Sequence, residues 1–383
     1  MAQKVKVGII GCGRIASRHG EALKGAEFTE LVAVCDLDET RRTQKSQELG
    51  VPGYRDYHEM LKFHPEIELV DILTPSGMHG EHAEDLLLHY NKHLMIEKPM
   101  TLDLAEAIKI KKMADQRSLR IFPIFQNRYN TAVQRVKGAL SNKDELGKLR
   151  VGTVRMRWCR PQRYYDLADW RGTWAMDGGA LTNQGIHYLD LLRYLCGEVE
   201  QVCAISATLG AKIEVEDTAV AILKFKNGAL GVIEVMTSAR HDDFEASISA
   251  VCENGLAVIG GIAANELVTF TPSESTKTEF NESFPHIYGF GHNVLLNEIG
   301  KAIRNNTPAP IEFDDAVSSL SLLHALYVSS ETGEWVNPET VSKSKLGIRD
   351  DRLRSPYRTP GPKSALRSVS LERSEAVQVA QAL

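Results

Sequence analysis

The pattern of apolar and polar positions changes rhythm once along this chain. In the first third, short continuous apolar runs alternate with helix-spaced segments. Val5–Ile10, Leu31–Cys35, Leu69–Leu73, Leu94–Ile96 and Ile121–Phe125 are nearly unbroken apolar stretches. Strands covered on both faces of a parallel sheet have this character. Between them, Ile15–Leu23, Glu39–Leu49, Tyr57–Phe63, Glu81–Tyr90 and Leu104–Ala114 are spaced as helices. The alternation predicts a doubly wound Rossmann-type α/β domain over residues 1–127.

Past residue 128 the strands follow one another: Leu149–Trp158, Val199–Leu209, Thr218–Phe225, Ala229–Thr237, Ala246–Cys252 and Leu256–Ile259. Asn227-Gly228 joins two of them in the form of a tight hairpin turn. Helices are expected at Val294–Arg304 and Ala316–Ser330. Residues 128–340 therefore read as an α+β substrate and oligomerisation domain with a large, mostly antiparallel open sheet. The stretch 341–383 carries nine Lys/Arg against four Asp/Glu and few large apolar residues, and is expected to be a flexible basic tail.

Composition narrows the function classes. The 383 residues suffice for two domains with sizeable cores. A net charge of -5 removes the global basic field that nucleic-acid binding exploits. Six scattered cysteines form no Cys-x-x-Cys pair, so neither a zinc site nor a disulfide framework is expected, and reduced thiols point to the cytoplasm. The start, MAQKVKVGIIGCG, reads as a first strand rather than a leader, and no apolar run reaches the ~18 residues of a membrane span. His79, His82, His89 and His93 are near one another in sequence but lack a carboxylate pattern, so no metal is expected.

Candidate chemistry starts where the first strand runs into Gly11-Cys12-Gly13-Arg14-Ile15-Ala16, a G-x-G-x-x-A pattern. Gly11 permits the tight turn, Gly13 lets backbone approach a pyrophosphate, and Ala16 allows close helix–strand packing. Arg14 and Ile15 bring the chain into a helix whose amino end offers N–H groups to phosphates. Asp36, at the end of the second strand, stands where a ribose 2′-hydroxyl is bound, which favours NAD over NADP; Arg41 and Arg42 soften that preference. Thr74, Pro75 and His79 follow the next strand of the pattern and belong at the same edge, beside the nicotinamide half. In LMIEKPMT, Glu97 and Lys98 stand at a strand's carboxyl end with Pro99 preventing continuation. Lys98 there either pairs with Glu97 in solvent or faces a ligand.

Gln184–Leu195 has a helical apolar stripe, with Asn183 as the expected N-cap and Asp190 within reach of His187. A helix amino terminus favours neutral imidazole, the form a general base needs. RMRWCRPQRYYDLADWRGTW, residues 155–174, is rich in arginine and aromatics, and Arg171 and Arg128 are candidates for substrate contact.

These motifs in order, G-x-G-x-x-A, TPSGMHGEHA, EKP and GGALTNQGIHYLDLL, resemble the Gfo/Idh/MocA family of sugar and cyclitol dehydrogenases over about residues 4 to 335. The resemblance implies a tightly held NAD(P), a Rossmann domain, and an open sheet that mediates homodimers or homotetramers. It places Lys98 between cofactor and substrate and makes His187 the acid/base. Many members have aspartate where this chain has Asn183. The asparagine is similar to that of UDP-N-acetylglucosaminuronate 3-dehydrogenases of the WlbA/WbpB type. The expected function is therefore NAD-dependent oxidation of a sugar hydroxyl, at C3 of a nucleotide-linked sugar. The alternatives are a free-sugar or inositol dehydrogenase or reductase, and a catalytically silent NAD-binding regulator.

Overall fold

A computed structural model describes residues 3–348 apart from 143, 274–277, 284–288 and 342. The first sheet is built from β1 (Val5–Ile10), α1 (Ala16–Gly25), β2 (Thr29–Cys35), α2 (Glu39–Leu49), β3 (Gly53–Tyr54), α3 (Tyr57–Phe63), β4 (Leu69–Ile72), α4 (His79–His89), β5 (His93–Ile96), α5 (Leu104–Gln116) and β6 (Ile121–Pro123). Its order is β3-β2-β1-β4-β5-β6, all parallel. The chain reverses direction of growth between β1 and β4, which opens a crevice at the strands' carboxyl ends. Val5, Val7, Ile9, Leu69, Val70, Ile72 and Leu94–Ile96 are fully buried, each large aliphatic side chain stabilising the fold by roughly 1.5–3 kcal/mol. Helix limits follow local chemistry. The Asp38 side chain caps α2 by accepting from Arg41 N, Gly50 ends it in the left-handed region, and Asp103 caps α5.

The second half contains α6 (Thr131–Ser141), β7 (Leu149–Arg157), α7 (Gln162–Tyr165), α8 (Ile186–Cys196), β8 (Val199–Ala207), β9 (Thr218–Phe225), β10 (Leu230–Met236), β11 (Glu245–Cys252), β12 (Leu256–Gly260), β13 (Glu266–Phe270), α9 (Gly291–Asn305) and α10 (Phe313–Thr332). The strands form a second sheet, β13-β12-β11-β7-β10-β9-β8, antiparallel except for the β7–β10 pair. Helices α6, α8 and α10 cover one face. The other is open: β9 alternates buried and exposed positions, and Ile205, Val220, Ile222 and Val232 face outward. No helix among the described residues is long and apolar enough to cross a membrane.

Three sequence expectations change here. Helix α6 and strand β13 lie where only strands or no element were expected. Helix α9, assigned by sequence to the second domain, packs on α1 of the first. Asn297 accepts from Glu27 N at 2.9 Å, and Gly300 has room for no Cβ, which would lie 2.6 Å from Thr29 Cγ2 and 2.9 Å from Phe28 O. The supposed tail is anchored at its start. Leu346 is buried and Gly347 N donates to Trp174 O at 2.8 Å, while residues 349–383 fall outside the described residues.

Candidate active site

The crevice begins at the glycine turn. Gly11 has φ +101, and a Cβ there would sit 2.7 Å from the carbonyl carbon and oxygen of Leu73. Only glycine lets β1 turn across the end of β4. Gly13 differs: a Cβ would meet nothing within 4 Å, so the space over the turn is open. Helix α1 starts beneath it with Ile15 at its N-cap position, no side chain capping it and no acid in its first turn. Its orphan N–H groups suit a diphosphate. Arg14 is exposed beside them. Asp36 is partly exposed, with Oδ2 accepting from Cys12 N at 2.7 Å and Oδ1 from Asp38 N at 2.8 Å. It therefore fixes the turn while standing at the ribose position. Arg42 is turned to the Asp36 carbonyl oxygen at 2.9 Å. These residues fit a dinucleotide.

The β4–α4 loop borders the same opening. Thr74 and Pro75 are partly exposed, and the Thr74 hydroxyl lies 3.0 Å from His82 Nδ1. His79, expected at the cofactor, is instead buried beneath the loop. Its ring nitrogens face Thr74 O and Pro99 O at 2.8 Å each, tying this loop to the segment after β5. Burial pulls its pKa down, and the two carbonyls oppose that pull.

Lys98 leaves β5 at the centre of the crevice, and its Nζ donates to Asn183 O at 2.6 Å, spanning both halves of the chain. Burial lowers its pKa, with Glu97 and Asp177 opposing and Arg171 adding to the fall. Glu97 is buried rather than in solvent. It turns inward, accepting from Lys98 N at 2.8 Å and from His19 Nε2 at 3.2 Å, with His292 Nε2 at 3.6 Å. Burial alone would raise its pKa, but His19, His292 and the Lys98 charge hold it well below the usual carboxylate range.

Leu181–Gly185 wind as a π-helical turn that runs into α8. Asn183 lies inside this turn rather than capping the helix. Its Nδ2 donates to Oδ1 of Asp177, and Asp177 Oδ2 accepts from Gly172 N at 2.9 Å. The turn rests on Glu216, which accepts from Leu181 N at 2.9 Å and from Tyr327 OH at 3.0 Å. Burial raises Glu216 to about 7. His187 follows on α8. Its Nδ1 is buried without a hydrogen-bond partner, and burial, then the charge of Lys98, push its pKa down to about 3. The imidazole is therefore held neutral.

Two expected partnerships are replaced by others. Asp190 does not partner His187; it accepts from Arg128 Nε at 2.7 Å and from Ser319 Oγ at 2.7 Å. Arg128, a candidate for substrate contact, is turned inward. Buried, with its guanidinium held by Asp190 and Asp315, it locks α8 to α10. Arg171 keeps a position near the lysine. It stacks 4.4 Å over Tyr164 and 4.6 Å over Trp170 and donates to Tyr164 OH at 2.5 Å. Sequence reasoning missed Asp177, His19, Asp71, His292 and Glu216. Asp71 alone carried a signal, an acid inside an otherwise apolar buried strand. Ligand atoms of His19, Glu97 and His292 lie within 4.8 Å of one another, the one metal-like grouping among the described residues, far from the histidine run weighed in the sequence.

Comparisons with known proteins agree with this geometry. Residues 5–125 match the oxidoreductase family with an NAD-binding Rossmann fold, and residues 133–258 match the GFO/IDH/MocA C-terminal domain. The WlbA dehydrogenase from Chromobacterium violaceum, solved with NADH and UDP-GlcNAcA, is 36% identical, covers 87% of this chain and 96% of its own, and superposes with a TM-score of 0.80. The Bordetella pertussis WlbA dehydrogenase, solved with the same pair, is 33% identical over 88% of this chain and 98% of its own, with a TM-score of 0.81. A myo-inositol 2-dehydrogenase from Thermotoga maritima is 26% identical over 344 residues, 88% of this chain and 99% of its own. The chain belongs to the Gfo/Idh/MocA family of oxidoreductases, with an NAD-binding Rossmann domain.

Proposed function

We propose that this dehydrogenase oxidises a secondary hydroxyl of a sugar, at C3 of a nucleotide-linked sugar such as UDP-N-acetylglucosaminuronate. The observation that carries the reading is the meeting of Lys98 with the Asn183–His187 segment: an ammonium from one sheet and a neutral imidazole from the other half face one crevice. Gly11, Gly13 and the start of α1 hold the diphosphate of NAD, Asp36 its ribose, and Thr74 and Pro75 border its nicotinamide end. Bound there, NAD would supply the hydride acceptor for the sugar carbon. His187 takes the hydroxyl proton. Lys98 holds that oxygen and stabilises the negative charge that grows as the proton leaves. Asp177 supplies, from six residues upstream, the carboxylate absent at position 183, and it orients the Asn183 amide. The Tyr164–Trp170–Arg171 stack offers an aromatic face and a guanidinium to a nucleotide sugar. The likeness to the WlbA dehydrogenases over nearly their full length supports the same substrate class.

The second reading, a cyclitol dehydrogenase, draws on the 26% identity to the myo-inositol enzyme. NADH formation at 340 nm, measured with UDP-sugars and with free sugars and inositols, separates the two; turnover of the free compounds alone sinks the nucleotide-sugar reading. The outward apolar positions of β9 and β10 support self-association through the open sheet. Ile222→Glu, half-exposed at 52%, is expected to lower the mass seen by light scattering to that of a monomer.

A further inference from the structure

Behind Lys98, on the side away from the crevice, lies a fully buried chain of charged groups. His19 of α1 has Nδ1 2.7 Å from Asp71 Oδ2 and Nε2 3.2 Å from Glu97 Oε1. Both ring nitrogens face carboxylate oxygens, a geometry that favours an imidazolium between two carboxylates; burial raises the Asp71 pKa, and the His19 charge opposes that rise. Burial would pull the His19 pKa down, but Asp71 and Glu97 overcome this and push it up to about 10. The second oxygen of Glu97 accepts from the backbone N–H of Lys98, and the ammonium itself is turned the other way, to Asn183 O. Two carboxylates and two cations thus balance one another, with His19 and Asp71 wholly buried and Lys98 at the edge of the crevice. The other charged or titratable groups acting on this cluster are His292 from α9, His187 from α8, His79 from α4, and Asp177 and Arg171 from the segment between β7 and α8.

We propose that His19 is a positioning residue: as the cation between Asp71 and Glu97, it keeps the Glu97 carboxylate turned inward and leaves the Lys98 ammonium to the substrate oxygen. Without that cation, Glu97 is left with His292 and with the Lys98 ammonium, one residue away in sequence. Pairing of Glu97 with Lys98 draws the ammonium out of the crevice. Glu97 also becomes easier to protonate, because the group that holds its charge is gone. The kinetic part rests on the dehydrogenase reading above, whereas the protonation state of His19 can be measured without any substrate.

The test uses the full chain with bound NADH and the variants His19→Gln, Glu97→Gln and their combination. In 15N-histidine spectra, one histidine is expected to keep both ring nitrogens protonated at pH 8, and that signal disappears in His19→Gln. With the sugar identified by NADH formation, His19→Gln lowers kcat by about tenfold while KM and the NADH Kd stay within about twofold. Acidification restores part of that loss, because protonation of Glu97 ends its pull on Lys98. The double variant is no slower than the worse single one, because both act through one carboxylate. If His19→Gln does not fold, Asp71→Asn, which keeps the ring and removes its anchoring charge, lowers kcat in the same way by less, again with partial recovery in acid. A neutral His19 ring at pH 8, additive kcat losses, or about one equivalent of a transition metal lost with His19→Gln overturns the proposal.

Discussion

The glycine turn and the lysine–histidine crevice share one edge of the first sheet, yet they are built from different materials. The turn is made of backbone: a left-handed glycine, an open space above Gly13 and the uncapped start of α1. All of it lies within a dozen residues of sequence, with Asp36 as the one distant contributor. The crevice is made of side-chain charge. Lys98, Asp177, His187 and the buried His19–Asp71–Glu97 chain come from separate elements of both halves, and each sets the protonation of another. A backbone site tolerates side-chain change around it, whereas a charge cluster propagates each change to its neighbours.

The largest effect that would sharpen this contrast is loss of the ammonium. Lys98→Met is expected to lower kcat by about a thousandfold while the NADH Kd, read by fluorescence, stays within about threefold. Loss of NADH binding would show that the two regions are not separable. His187→Asn is expected to cost about a hundredfold or more in kcat, again with NADH binding retained.

The two glycines divide the turn itself. Gly11→Ala forces a positive φ and a clash with the Leu73 backbone, and should destabilise the chain by about 2 kcal/mol or more. Gly13→Ala meets open space, so melting should be unchanged within about 2 °C while NADH affinity falls by about tenfold. Equal stability losses in the two would break the account of the turn.

The smallest effects are in the pH dependence of folding, where the two histidines have opposite signs. His19 is raised to about 10, so its stabilisation is full below its unfolded pKa of about 6.5 and is lost as pH rises toward 10. His187 is lowered to about 3, so its contribution is present above about 6.5 and is lost as pH falls. Melting scans from acid to alkaline pH should therefore lose part of their alkaline slope in His19→Gln and part of their acid slope in His187→Asn.

Much of the site could be read early because it rests on local rules. Gly11, Gly13 and Asp36 were identified from spacing, and α2 and α3 occur at the limits their helical spacing indicated. Lys98 and His187 came from motif order. The errors share a different cause. Glu97, His79 and Arg128 were placed near ligands because they neighbour ligand-facing positions in sequence, but a change of direction at the end of a strand or helix turned each inward. Asn183 looked like an N-cap because the π turn that encloses it depends on Glu216 and Tyr327, both remote in sequence.

The sequence by itself determined the elements and the glycine turn, since period, capping and backbone freedom act over a few residues, and its motif order singled out Lys98 and His187 as candidates. Tertiary structure alone decided which charged and polar groups meet: Asp177 with the Asn183 amide, Asp190 with Arg128 rather than His187, and His19 between Asp71 and Glu97. The physical reason is that the free energy of a buried charge depends on partners a few ångströms away in space, and the sequence does not record which distant residues those are.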